Sequence, residues 1–74
     1  MTKTRIKPKV GDTFTLAGAT FTVESIDKKG KIVAVREVAV MKDDGTGEYV
    51  HKPQRSHWFM ENVSEIMTNQ ERYL

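Results

Sequence analysis

Four cations, Lys3, Arg5, Lys7 and Lys9, stand at alternate positions near the amino terminus, and no acid occurs in residues 1–11. In an extended chain that alternation presents all four side chains on one side. Such a row can follow a phosphate backbone or dock on an acidic protein face; the plainer alternative is a solubilising tail. A second acid-free block, residues 28–36, holds Lys28, Lys29, Lys31 and Arg36. Its turn lysines could meet the same kind of ligand, or could simply guard strand edges against aggregation.

A third stretch, His51-Lys52-Pro53-Gln54-Arg55-Ser56-His57-Trp58-Phe59, interleaves cations with aromatic rings. Stacking on bases while neutralising phosphates requires that mixture. Lys52, Arg55, His57 and Trp58 are its candidate binding residues. In an extended segment Trp58 and Phe59 point to opposite sides, and we expect Phe59 in the core with Trp58 near the surface. The competing arrangement has Trp58 packed inward as well, with Lys52 and Arg55 on a solvated edge.

Nucleophilic chemistry would need a nucleophile, a base and an orienting acid on a rigid scaffold. Ser56-His57, with His51 nearby, has neither a strained elbow nor a glycine-rich nucleophile motif around it, so no catalytic residue is assigned. The loop Asp43-Asp44-Gly45-Thr46-Gly47-Glu48 echoes half of a calcium loop but lacks the alternating oxygen ligands and the closing bidentate Glu. Gly45 and Gly47 are not followed by the Lys-Ser/Thr of a phosphate loop. No metal and no cofactor is expected.

The elements that must position these residues belong to a short chain. Seventy-four residues bury only about 60% of the surface they expose when unfolded, which leaves room for one core. There is no cysteine, so disulfides and thiolate zinc sites are excluded and a reducing, cytoplasmic setting is expected. The basic start is not followed by the apolar stretch of a secretory signal, and no apolar run approaches a membrane span. The formal net charge of +2 is mild, so a basic face must be built by folding. Residues 37–48 carry Glu37, Asp43, Asp44 and Glu48 against Lys42 alone.

The polar pattern is that of strands. Thr13 to Leu16 alternates with Phe14 and Leu16 inward, Ala17-Gly18-Ala19 turns the chain, and Thr20 to Val23 repeats the alternation with Phe21 and Val23 inward. The phase slips at Glu24-Ser25, which predicts a β-bulge. Asp27-Lys28-Lys29-Gly30 is a second turn, with Gly30 at positive φ. Ile32 to Met41 reads as a long strand with Val33 and Val35 inward, bending or crossing between sheet surfaces near Arg36-Glu37. A glycine-rich loop, a short strand from Tyr49, and an edge marked by Pro53 follow. For residues 56–67 two readings compete. One is an amphipathic helix through Phe59, Val63, Ile66 and Met67 capped by Ser56; the favoured one is a single helical turn followed by a closing strand, Val63 to Met67. Residues 68–74 read as a frayed polar tail.

With Val10-Gly11-Asp12-Thr13-Phe14, Phe21-Thr22-Val23, Asp27 to Val33 and Trp58-Phe59-Met60-Glu61-Asn62-Val63, the chain resembles the small SH3-like barrels, including those with KOW-type motifs. The resemblance spans about residues 10–67 and is one of pattern. It implies a mainly β, five-stranded barrel with one short helical turn before the last strand, flanked by a basic arm (1–9) and a polar tail (68–74). It also implies an adaptor for nucleic acids or proteins. In size and lack of motifs the chain is similar to small accessory proteins encoded by bacteriophages.

The expected function is therefore a non-enzymatic module that binds nucleic acid weakly through the arm and the aromatic-basic edge. The alternative is a protein-interaction module or inhibitor, such as a phage protein acting on a host enzyme, which the balanced acids would suit. Self-association into a homodimer is left open, because a small sheet can enlarge its core by pairing edges.

Overall fold

The computed structural model describes residues 4–74. Four antiparallel strands, β1 (Thr13–Leu16), β2 (Ala19–Ile26), β3 (Lys31–Met41) and β4 (Tyr49–Phe59), form one sheet in sequence order, followed by α1 (Met60–Thr68) and α2 (Gln70–Tyr73). The sheet is mainly β as expected, but it is open, with four strands and not five, and no barrel closes. The segment expected as the closing strand is helix α1. The reason lies in spacing. Val63 and Ile66 would point to opposite faces of a strand, whereas three residues apart on a helix they share one face, and both are buried against the sheet.

The two hairpin turns follow from backbone chemistry. Leu16 pairs with Ala19, and the two residues between, Ala17 (φ 51) and Gly18 (φ 83), both have positive φ. This is the primed turn that matches strand twist. At the second turn the Asp27 carboxylate accepts from the backbone N–H of Lys29 (2.9 Å) and of Lys31 (2.7 Å), and Gly30 (φ 82) donates to the Asp27 carbonyl.

The phase slip is a real bulge. Val23 pairs with Ala34 and Ser25 with Val33, leaving Glu24 as the extra residue. Its consequence differs from expectation on β3. Ile26 lies opposite Ile32, and Ile32 opposite Trp58, so Ile32 and Ala34 face the core while Val33 and Val35 lie half-buried on the outer face. Lys-Ile-Val-Ala-Val offers apolar residues to both faces, and the partners across the sheet decide between them. The register of β3 with β4 then holds without a shift from Lys31 opposite Phe59 to Met41 opposite Tyr49. β3 therefore does not cross between surfaces; beyond Val35, where β2 ends its pairing, the two strands continue as a ribbon.

The core is one layer between sheet and helix: Phe14, Phe21, Val23, Ile32, Ala34, Val63 and Ile66. Phe14 and Phe21 stack at 5.2 Å between ring centroids, and Trp58 meets both edge-on at 5.2 and 5.3 Å. Both ends of the described stretch are tied to this unit. Pro8 is buried, Ile6 N–H donates to Thr68 Oγ1 (2.9 Å), and Ser64 Oγ donates to the Ile6 carbonyl (2.6 Å). Residues 68–74 are not frayed. The Gln70 side chain pairs with both backbone groups of Thr15, and the Tyr73 carbonyl accepts from Ala17 N–H at 2.7 Å. Gln70 thus satisfies the β1 edge as a neighbouring strand would. The other edge, β4, carries Lys52, Pro53 and Arg55, residue types that discourage further pairing.

Two outcomes check this account. Ile32→Ala removes a fully buried side chain and should cost about 2–5 kcal/mol, while Val33→Ala should cost less than half as much in the same urea titration. The reverse order would mean that the bulge does not set the facing of β3. Ala17→Asn keeps the N–H bonded to Tyr73 and eases the positive-φ strain, so thermal melting should rise by a few degrees.

Candidate functional site

The residues singled out in the sequence divide into those the fold gathers and those it does not. Lys3 lies outside the described residues. Arg5 and Lys7 run beside the start of α1, where the Arg5 guanidinium donates to the Glu61 carbonyl at 3.3 Å. The turn after β2 comes to the same place, because the Gly30 carbonyl accepts from Met60 N–H (2.8 Å). That bond satisfies one of the N–H groups every helix start leaves unpaired. It replaces the side-chain cap expected from Ser56; Phe59 occupies the cap position in extended conformation with no side-chain cap bond.

The result is a groove of about 550 Å³ whose lining includes Arg5, Lys7, Lys29, Phe59, Met60 and Glu61. A second groove of about 410 Å³ adjoins it across Phe59 and is lined by Lys31, His57, Trp58, Phe59 and Asn62. Phe59 is the residue the sequence reading misplaced. It is 59% exposed, and it sits opposite Lys31 on the outer face of the sheet with His57 two residues before it. Trp58 faces the core instead, half-buried, with its indole N–H donating to Ser56 Oγ at 2.7 Å. The facing follows from strand alternation: Ser56 and Trp58 stand opposite Ala34 and Ile32, which are both buried.

Among the described residues, Lys7, Lys29 and Lys31 join no ion pair. Lys28 is exposed at the turn tip beside Lys29, and Lys9 is exposed at the turn that Asp12 closes by accepting its backbone N–H (2.9 Å). Lys52 and Arg55 do not join the cluster. Lys52 lies far along the ribbon opposite Val38. Arg55 reaches across β3 to Glu24, with Nε 3.0 and 3.1 Å from its two carboxylate oxygens. The Glu24 hydrogen bond and charge raise the Arg55 pKa above its ordinary value. A broader concavity of about 910 Å³ includes Thr20, Glu24, Val35, Arg36, Glu37 and Arg55 in its lining; its size exceeds that of the basic grooves, but its two arginines are matched by two acids, with Arg55 paired to Glu24 and Arg36 lying over the Phe21 ring and donating to Gln54 Oε1 at 3.2 Å.

No family model, curated protein or solved structure matches the chain. The site is therefore read from its own chemistry. Ser56 and His57 point to opposite faces of β4, so they cannot exchange a proton as a nucleophile and its base would. Among the described residues no three acids or histidines stand together as a metal-holding group, and no helix is long and apolar enough to cross a membrane. The acidic loop is occupied with itself: Asp44 Oδ1 accepts from Thr46 Oγ1 (2.7 Å) and Thr46 N–H (3.1 Å), and Lys42 pairs with Glu48 at 3.2 Å.

The Thr46 hydroxyl, and secondly its N–H, hold the Asp44 carboxyl below its ordinary value of 3.8. Because both bonds favour the charged form, the carboxylate should persist as pH falls through 3.8 and protonate only below it. Following carboxyl carbon shifts by NMR, Thr46→Ala should move the Asp44 midpoint upward. An unchanged midpoint would mean that the loop does not hold this closure in solution.

Proposed function

We propose that the chain is a non-enzymatic binding module that takes nucleic acid weakly at its basic end. The observation that carries the reading is the convergence of two sequence-distant cationic segments, Arg5-Lys7 and Lys29-Lys31, around one exposed aromatic ring. Cations gathered with a single acid, Glu61, in the lining of the two grooves give a local positive potential that the net charge of +2 conceals. Phosphate neutralisation releases condensed counterions and supplies sequence-independent affinity.

A protein partner is the second reading, favoured by the far end of the ribbon, where Val40, Met41 and Tyr49 are exposed. Scattered apolar residues are normal on soluble surfaces, and these adjoin the acidic loop, so this reading concerns a different surface.

The test is an anisotropy titration with labelled DNA and RNA at two salt concentrations. Four cations limit the slope of log K against log salt to about −3 on single strands, so affinity should fall by tens of fold between about 50 and 200 mM salt. Lys29→Gln with Lys31→Gln should flatten that slope by about half without changing the circular dichroism spectrum. Absence of binding at low salt, or binding indifferent to salt, would overturn the proposal.

A further inference from the structure

The basic end is built around a ring that the core does not use. Phe14, Phe21 and Trp58 satisfy one another edge and face, whereas Phe59 stands on the opposite side of the sheet, 59% exposed. It forms the divide between two adjoining grooves. On one side of it are Arg5, Lys7 and Lys29; on the other are Lys31 and His57.

We infer that this end holds a short single-stranded stretch of nucleic acid, one base of which stacks on Phe59 while the phosphates before and after it meet the two cation groups. The inference rests on the nucleic-acid reading above and narrows it. A duplex hides the faces of its bases in its own stack, so a single ring flanked by grooves has nothing to stack on unless the duplex opens. A single strand offers base faces freely, and an aromatic platform takes any base because each has a π-face. The disposition of charge agrees. Consecutive phosphates of a strand lie on either side of the base they enclose, and the cations here lie on either side of the ring. Duplex binding would gain from a longer row of phosphate contacts, but along β4 the row does not continue: Arg55, the arginine of that strand, is held by Glu24.

The experiment compares a short mixed-sequence single strand with the same sequence as a duplex, by anisotropy at low salt, for the full chain and two variants. The single strand should bind about tenfold tighter than the duplex. Phe59→Ala should lose about tenfold on the single strand and leave duplex binding unchanged. Phe59→Leu keeps the apolar bulk and lacks the ring face, so it should lose as much, while Phe59→Trp should bind at least as well as the original. Melting curves of all variants are expected to coincide, because Phe59 lies outside the core. Equal affinity for both forms, or a Phe59→Leu variant that binds single strands normally, would overturn the stacking inference while salt-dependent binding left the nucleic-acid reading standing. Failure of both forms to bind at low salt would overturn the reading and the inference together.

Discussion

The facing of Trp58 is the constraint from which the rest of the molecule follows. Its ring closes the aromatic group with Phe14 and Phe21, and its N–H finds Ser56 Oγ. Few other side chains in so short a chain could supply that much apolar area; a buried aromatic residue covers roughly 150–250 Å². Once Trp58 faces the core, strand alternation leaves its neighbours no choice. Phe59, His57 and Arg55 must face the other side, and the register sets Phe59 beside Lys31. The exposed ring is thus a consequence of the buried one.

The helix and the arm are held by the same economy of backbone groups. The Gly30 carbonyl accepts the first N–H of α1, and the Ile6 peptide is bonded on both sides by Thr68 and Ser64. Neither attachment consumes a lysine. The arm is ordered through its main chain and through buried Pro8, so Lys7 reaches the groove without an ion pair among the described residues. Arg5 bonds the Glu61 carbonyl and, among the described residues, joins no ion pair.

How much of this the sequence discloses depends on how many faces each segment could satisfy. Thr-Phe-Thr-Leu and Thr-Phe-Thr-Val alternate strictly, so β1, β2 and the inward Phe14, Phe21 and Val23 were legible, as were both turns and the bulge at Glu24. Lys-Ile-Val-Ala-Val does not alternate, and its facing is fixed by Ile26 and Trp58 across the sheet, which local pattern cannot reveal. The choice between Trp58 and Phe59 failed for a related reason: alternation puts one ring on each face, and which one goes inward is set by buried Ile32 and Ala34 opposite Trp58 and Ser56 across the sheet. The arm and the turn were legible as cations; their meeting was not, since it depends on a backbone bond between Gly30 and Met60. Val63 and Ile66 did signal a helix, and preference for a closed barrel overrode that signal. Gln70 carried no sequence signal for its role at the β1 edge.

The distribution of charge along the molecule gives the basic end its independence. Asp43, Asp44 and Glu48 lie at the loop joining β3 to β4, and Lys29, Lys31 and Phe59 lie at the opposite end of the same ladder. Eleven residues of strand separate the two by about 34 Å at the usual rise. At physiological ionic strength charges are screened over about 8 Å, so the acids of the tip do not cancel the field at the grooves. They do repel a polyanion from the far end of the ribbon. Under the proposed function, a ligand rich in phosphate would meet attraction at one end of the 54 Å long axis and repulsion at the other, each felt only within about a screening length of that end.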